Sequence, residues 1–410
     1  MRRVALTGIG LVSPLGVGAE SFWNRILEGT PSFRHITRFD TTTYSCKVAG
    51  EIDDSAYADV IDPRKARTVA HATRLALAAS EAALRDAALD PNHYPAHTRG
   101  VAVGTALGGW ADGERQVGIL AERGARRTNP FILSGSGPHG AGIEVAAAFG
   151  AEGPNVTIST GCPSSLQAIG HGVSLVSAGV LDMCLAGGTE SPLSPVTFAS
   201  LCRTQELSPE IEDLFRASCP FDRRHAGIVL SEGSCFVVLE ATESAERRGA
   251  TAYAELSSAA SSCDAHGLYS FDPTGGAGAR AIHALLRQND LAPSDIDYVS
   301  AHANSSPRFD EKETLVLKRA FGEWAAQLPV SSIKAVLGHP FGASGAFQVA
   351  ATALAVRHEV IPPTHGLDEP APGCDLDYVA RIPRQAAIRH GLVTSYGYGG
   401  VNAYLLVQRI

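Results

Sequence analysis

Along the 410-residue chain, short runs of β-branched and aliphatic residues alternate with longer alanine-rich runs whose apolar positions recur at helical spacing. Residues 3–7, 100–104, 155–159, 182–186 and 234–240 read as strands. Residues 66–88 read as a long helix with Leu75, Leu77, Ala82 and Leu84 among its apolar positions, and 164–178 as a second helix. A charged helix over 242–248 closes this series. After Gly249 the order begins again, with strands over 252–257, 296–301, 392–395 and 403–408 and helices over 279–288, 311–321 and 346–357. Such alternation marks α/β architecture. The second beginning divides the chain into similar halves, 1–250 and 251–410, although no residue-level repeat is visible. The proline-rich stretch 361–372 is expected as a long surface loop.

Composition narrows the class. The chain is 45% hydrophobic and 19% charged, as in an ordinary globular protein, and its length exceeds what one core usually fills. A net charge of −8 argues against general nucleic-acid binding, which needs a basic face to neutralise phosphates. No stretch approaches the roughly 18 uninterrupted apolar residues of a membrane span, so no membrane partner is expected. The opening Met1-Arg2-Arg3-Val4-Ala5-Leu6 faintly imitates a secretory leader, but Gly8, Gly10, Pro14 and Gly16 interrupt it and a first strand is the better reading. The eight cysteines (46, 162, 184, 202, 219, 235, 263 and 374) are scattered, with no CxxC and no histidine pair at metal spacing. They are expected as reduced cytoplasmic thiols, with no metal bound.

One cysteine has a distinctive setting. In Val156-Thr157-Ile158-Ser159-Thr160-Gly161-Cys162-Pro163-Ser164, a β-branched strand runs to Gly161 and Pro163 occupies a first helical position. Leu166, Ile169, Val173 and Val176 then continue at helical spacing. Cys162 is therefore expected at the positive end of a helix dipole, which lowers a thiol pKa and offers free N–H groups to a developing oxyanion. On this segment alone a buried structural thiol remains an open alternative.

Two histidines have comparable settings. His302 follows the strand-like Ile296-Asp297-Tyr298-Val299-Ser300-Ala301, and His339 follows Val330-Ser331-Ser332-Ile333-Lys334-Ala335-Val336-Leu337-Gly338. Residues at the ends of α/β strands project into the ligand crevice. A cysteine and two histidines on three such ends could converge, with Lys334 close by.

These residues sit among motifs that resemble the β-ketoacyl-ACP synthase II family, including the ketosynthase subunits of type II polyketide synthases. The likeness runs from Arg3 to Val407. It is carried by Val4-Ala5-Leu6-Thr7-Gly8-Ile9-Gly10, Thr37-Arg38-Phe39-Asp40, Pro220-Phe221-Asp222, Ser231-Glu232-Gly233, Asp264-Ala265-His266, Gly338-His339-Pro340-Phe341-Gly342-Ala343 and Tyr396-Gly397-Tyr398-Gly399-Gly400-Val401-Asn402. The resemblance implies a thiolase fold, two similar halves with mixed five-stranded sheets in αβαβα layers. It implies that Cys162 carries the acyl chain as a thioester, while His302 and His339 bind the malonyl carbonyl and promote decarboxylation. The resulting enolate then attacks the acyl group, in covalent catalysis with oxyanion stabilisation. Lys334 would supply fixed positive charge, and Tyr398 its backbone N–H for the oxyanion hole and its ring for an aromatic gate. No cofactor is implied, because substrates arrive on the phosphopantetheine arm of an acyl carrier protein.

Departures from the family pattern matter as well. The usual His-Gly-Thr-x-Thr is here His302-Ala303-Asn304-Ser305-Ser306, where Asn304 and Ser306 can still hydrogen-bond a pantetheine amide. A family glutamate is replaced by Gln348. The dimer-side segment Leu133-Ser134-Gly135-Ser136-Gly137-Pro138-His139-Gly140 is small and polar, so with Leu107 and His139 the pocket is expected to suit an unusual chain. Arg64, Lys65 and Arg67, then Arg126 and Arg127, and finally Arg203 are the basic candidates for docking an acidic carrier. The resemblance further implies a dimer, either of two copies or with a chain-length-factor-like subunit. An acyltransferase that moves chains without elongation, and a non-catalytic partner subunit, are the alternatives; the presence of Cys162 with both histidines speaks against the latter.

Overall fold

In the computed structural model, which describes residues 2–209 and 212–410, most of the parallel strands are buried on both faces, the edge strand Asn155–Ile158 being partly exposed. This is why they read as continuous apolar runs rather than alternating ones. The first half contributes β1 (Val4–Ser13), β2 (Arg99–Gly104), β3 (Asn155–Ile158), β4 (Met183–Glu190) and β5 (Gly233–Ala241), side by side in the order β3-β2-β4-β5-β1. After the short β6 (Ala254–Leu256), the second half contributes β7 (Ala260–Cys263), β8 (Tyr298–Ser300), β9 (Pro329–Ser331), β10 (Asp377–Tyr378), β11 (His390–Tyr396) and β12 (Val401–Gln408). Its order is β9-β8-β11-β12-β7, with β10 outside β9.

The two orders are the same topology. In each half the first and fourth strands flank the fifth antiparallel, while the second lies parallel between the third and fourth. The expected pair of mixed five-stranded sheets is therefore present. They are also joined: β6 pairs antiparallel with β1 through Leu6 and Ala254, and with β12 through Val407 and Leu256. With the short strand Gly16–Val17, which pairs antiparallel with β1, one continuous thirteen-stranded sheet results.

Helices complete five layers. On the outer face of the first half lie α1 (His71–Asp86), against β1 and β5, and α3 (Gly140–Phe149), against β2, preceded by α2 (Trp110–Arg123). The middle layer is α4 (Ser164–Ser177) against α8 (Ser344–His358), and α5 (Pro195–Arg203) lies between them in sequence. On the outer face of the second half pack α6 (Gly276–Gln288) and α7 (Pro307–Phe321). Every residue of α8 from Ser344 to Val356 is buried. A helix apolar all round has no solvent face and must sit between sheets. Gly345 permits this contact, since a Cβ there would stand 2.8 Å from the Leu166 nitrogen.

Two expectations need correction. The long helix over 66–88 begins only at His71, because Ala70 is extended and the buried Asp112 carboxylate accepts from the His71 N–H at 2.7 Å, capping the helix from a distant segment. Residues Pro63–Ala66 form a separate single turn. The stretch 361–372 is irregular, but Ile361, Pro362, Pro363, Thr364 and Leu367 are buried rather than on the surface. Its backbone is satisfied internally, with Thr364 N donating to Val379 O at 2.7 Å and Thr364 Oγ1 accepting from Ser332 N at 2.9 Å. Helices α2, α3 and α5 had no counterpart in the pattern reading. Among the described residues, no helix is long and apolar enough to cross a membrane.

Candidate active site

The repeated topology places equivalent strand ends face to face. Cys162 follows β3, and Lys334 and His339 follow β9, the matching strand of the other half; His302 follows β8, beside β9. At the cysteine the chain turns sharply: Gly161 has φ +79°, a left-handed conformation that disfavours side chains. Ser164 locks the elbow by donating to Gly161 O and accepting from Thr160 N at 2.9 Å.

The sulfur of Cys162 lies 3.2 Å from His339 Nε2. The His302 and His339 rings cross edge to face with centroids 5.3 Å apart. One ligand-type atom from each of the three side chains falls within 4.8 Å of the others, a spacing that could also suit a shared metal ion. Each imidazole keeps a buried Nδ1 without a hydrogen-bond partner. Burial, reinforced by Lys334, holds both histidines well below their ordinary range, so both are neutral.

The thiol differs from the expectation. Burial pushes Cys162 up to about 12, outweighing the pull of Lys334 and of the backbone N–H. The residue is only 4% exposed, and the desolvation of a thiolate there exceeds what the helix terminus returns. The resting pair is therefore thiol and neutral imidazole.

Beneath the histidines lies a polar layer. Lys334 Nζ donates to His302 O at 2.6 Å and to Gln348 Oε1 at 3.1 Å. Gln348 Nε2 reaches Ser300 O, Ala301 O and Thr394 O at 3.0, 2.9 and 3.1 Å. Glu313 accepts from His302 N at 3.0 Å, from Ala303 N at 2.7 Å and from the Thr394 hydroxyl. Burial lowers Lys334 and raises Glu313, so the positive charge expected of Lys334 is weakened rather than fixed.

On the other side of Cys162 an apolar cluster gathers Phe198, Leu193, Leu230, Phe341 and, partly exposed, Leu107. Glu190, at the end of β4, binds the loops that frame it: Thr105 Oγ1, Ala106 N, Leu107 N and Gly342 N donate at 3.1, 2.6, 3.0 and 3.0 Å. Burial nevertheless pushes this carboxyl up to about 7. Glu190 and Glu313 escaped the sequence reading. Glu190 carried a signal, a carboxylate closing the apolar run Met183-Cys184-Leu185-Ala186, whereas Glu313 ends the charged run Asp310-Glu311-Lys312-Glu313 and carried none.

The remaining candidates fall in different places. Gly397 passes so close to the nucleophile that a Cβ there would stand 3.5 Å from Cys162 N, which brings Tyr398 to the same rim. The Tyr398 ring packs edge-on to Phe309 at 5.3 Å, and Phe309 packs on His302 at 5.3 Å. Asn304 is engaged internally: its Oδ1 accepts from Ser306 N at 3.1 Å and its Nδ2 lies 3.4 Å from His302 Nε2. Ser306 is buried at the start of α7. His139 and most of 133–139 are exposed and stand outside the Cys162 cluster. Arg64, Arg67, Arg126, Arg127 and Arg203 are exposed, whereas Lys65 pairs with Glu144.

Comparison with known proteins gives concordant matches. The family models described as "Beta-ketoacyl synthase, N-terminal domain" and "Beta-ketoacyl synthase, C-terminal domain" match residues 1–245 and 253–368. The tetracenomycin polyketide synthase ketoacyl synthase alpha subunit of Streptomyces glaucescens is 38% identical over 100% of this chain and 97% of its own length. A 3-oxoacyl-[acyl-carrier-protein] synthase 2 of Synechocystis sp. is 35% identical over 100% of this chain and 98% of its own. The solved ishigamide ketosynthase/chain length factor superposes with TM-score 0.93 at 29% identity, over 100% of this chain and 99% of that one.

Proposed function

The chain belongs to the β-ketoacyl synthase family, and on that premise we propose that Cys162 is the acyl-carrying nucleophile of a ketosynthase acting in polyketide or fatty acid assembly. The observation that carries the assignment is the 3.2 Å contact between Cys162 Sγ and His339 Nε2, with His302 beside them.

In the first half-reaction the thiol attacks a carrier-bound thioester. The sulfur gains the acyl group, and the carrier's pantetheine sulfur leaves with the thiol proton. The backbone N–H groups of Cys162 and Tyr398 would receive the transient oxyanion. In the second, His302 and His339 donate from their ring N–H groups to the carbonyl oxygen of a malonyl thioester. Neutral imidazoles suit this task, because the oxygen gains charge only as the carboxylate departs as carbon dioxide. The enolate carbon then forms a bond to the acyl carbonyl, the C–S bond to Cys162 breaks, and the sulfur takes up a proton. One acyl thioester, one malonyl thioester and one proton give a 3-oxoacyl thioester, carbon dioxide and free carrier thiol.

Lys334 and Gln348 orient the His302 backbone. Ser306 and Asn304 are the residues offered to the amides of a pantetheine arm, and Leu107 to the acyl chain. Arg203, Arg64, Arg67, Arg126 and Arg127 are the surface charges offered to an acidic carrier, with Lys65 partly committed to Glu144. The chain requires no cofactor of its own in this scheme, since decarboxylation generates the carbanion. A second subunit, either another copy or a chain-length-factor-like relative, would cover the exposed 133–139 segment with His139. Within the chain, the halves divide near residues 250 and 251. Eight free cysteines suit a reducing, cytoplasmic setting.

The deciding experiment supplies acyl-carrier and malonyl-carrier and follows three products by mass. Acyl mass on Cys162, carbon dioxide and a chain two carbons longer are expected. Transfer without carbon dioxide would replace elongation by simple acyl transfer, and failure to acylate Cys162 would overturn the assignment.

A further inference from the structure

Cys162, His302 and His339 have a second chemistry that condensation leaves unused, because a thiol and two imidazoles are also metal ligands. The Cys162 sulfur lies 3.2 Å from His339 Nε2, and with one nitrogen of the His302 ring the three ligand atoms fall within 4.8 Å of one another. Among the described residues no other group of three or more histidine, cysteine, aspartate or glutamate side chains is so placed. A tetrahedral Zn²⁺ takes thiolate sulfur at about 2.3 Å and imidazole nitrogen at about 2.0–2.1 Å, which sets neighbouring ligands roughly 3.5 Å apart. The three atoms reach that spacing with side-chain shifts on the order of 1 Å.

Each ligand stands on fixed backbone. Ser164 ties the Cys162 elbow through Thr160 N at 2.9 Å and through Gly161 O. His302 N donates to Glu313 at 3.0 Å and to Thr394 Oγ1 at 3.1 Å, and its carbonyl accepts from Lys334 at 2.6 Å. His339 N donates to Val229 O at 2.8 Å, and its carbonyl accepts from Ser231 N at 3.2 Å. Two fully buried carboxylates, Glu313 under His302 and Glu190 under Gly342, offset the ammonium of Lys334, so the surroundings do not repel a cation.

A thiolate with two imidazoles selects Zn²⁺-like ions over Mg²⁺ and Ca²⁺, which take oxygen ligands. Three protein ligands also leave a fourth position open, unlike a closed structural site. His339 Nδ1, the nitrogen left over from the sulfur contact, is buried with no hydrogen-bond partner. Metal-bound histidines are usually braced at that nitrogen, and loss of the brace weakens affinity about 10–100-fold. Such an ion is held exchangeably.

We propose that Cys162, His302 and His339 form a reversible inhibitory site for a divalent cation of the Zn²⁺ type. On binding, a metal–sulfur bond forms and the thiol proton leaves to solvent, with no change of oxidation state. The ion then occupies the sulfur and both rings, which blocks acylation and malonyl binding together. The site follows from the ligand geometry, whereas its effect on acylation rests on the ketosynthase reading.

The test uses the full-length protein with Zn²⁺, with Co²⁺ as a coloured probe and with Mg²⁺ as a control. Calorimetry should find a Zn²⁺ binding event that Mg²⁺ does not reproduce and that vanishes in Cys162→Ala. His302→Ala and His339→Ala should each weaken it by more than about tenfold, the loss that even a missing brace causes. Co²⁺ should give a thiolate charge-transfer band and the strong visible bands of four-coordination, both lost in Cys162→Ala. At ten times its Kd, Zn²⁺ should slow alkylation of Cys162 by iodoacetamide about tenfold. The exposed Cys263 should be spared, and EDTA should restore the rate. This protection is read on the unaltered protein, so it decides the question even if an alanine variant unfolds. Equal protection of Cys162 and Cys263, or affinity that survives the loss of either histidine, would leave an adventitious thiol adduct and sink the site. Acyl mass separates the two readings. Unaltered protein that never acylates Cys162 refutes the ketosynthase whatever Zn²⁺ does, whereas acylation that bound Zn²⁺ leaves untouched refutes the inhibitory site alone.

Discussion

His339 Nε2 stands 3.2 Å from the Cys162 sulfur, and burial holds both groups uncharged. In the proposed reaction the Cys162 thiol would therefore attack with help from a neighbour able to take its proton, rather than from a standing thiolate.

This neutrality makes alkylation diagnostic. With Cys162 pushed up to about 12, the rate of reaction with iodoacetamide should climb about tenfold per pH unit from pH 7 to 9. A plateau near neutrality would mean a preformed thiolate and refute the neutral pair. Peptide mapping keeps the other seven cysteines out of the measurement.

The two histidines should separate by step. Only His339 touches the sulfur, so His302→Ala should keep most Cys162 acylation while losing malonyl decarboxylation by about 10²–10³. His339→Ala should lose both. Acyl mass and released carbon dioxide, followed in parallel, would reveal any other division.

Gln348 should be structurally exacting. Its amide nitrogen meets three carbonyls and its oxygen meets Lys334, so leucine there strands several buried polar groups at about 1–3 kcal/mol each. Denaturant unfolding of Gln348→Leu should show a lowered midpoint.

Another buried carboxylate, Glu232, should contribute to the acid response. Burial alone would raise Glu232, but His71 and Arg38, 3.3 and 2.9 Å away, outweigh it and hold the group at about 2. Its folded value thus lies below its unfolded one. The stability it contributes is complete above about pH 4.5 and drains away as pH falls towards 2. Glu232→Gln should be less stable at pH 6 and show a flatter loss between pH 4.5 and 2. An unchanged slope in that window would remove Glu232 from the acid response.

Arg203 offers a charge test of docking. Arg203→Glu should raise the KM for carrier-bound substrate at low salt, and the difference should shrink as ionic strength rises towards about 0.15 M and beyond. Lys65→Glu is less informative, because it also breaks the contact with Glu144. A KM insensitive to both charge and salt would place the carrier elsewhere.

The sequence alone determined the alternation of strands and helices, the doubled pattern, and the three strand ends that carry Cys162, His302 and His339. These features are local: apolar runs, a glycine and a proline around one cysteine, and two histidines each following a strand-like run. Helices α2, α3 and α5 were silent because Trp110, Val117, Leu120, Ile143 and Val196 leave apolar positions on the exposed side, which blurs a helical stripe.

Only the tertiary structure decided the electrostatics and the supports. The pKa of Cys162 follows from how completely β3, β9 and their loops exclude water, a property no spacing encodes. Glu190, Glu206 and Glu313 find their donors on segments about 10 to 150 residues away, and a carboxylate's role depends on which N–H groups the fold brings to it. The start of α1 was settled likewise, by Asp112 reaching across to the His71 N–H. Local pattern fixes which residues can become strands and elbows, whereas burial and long-range pairing fix what their side chains can do.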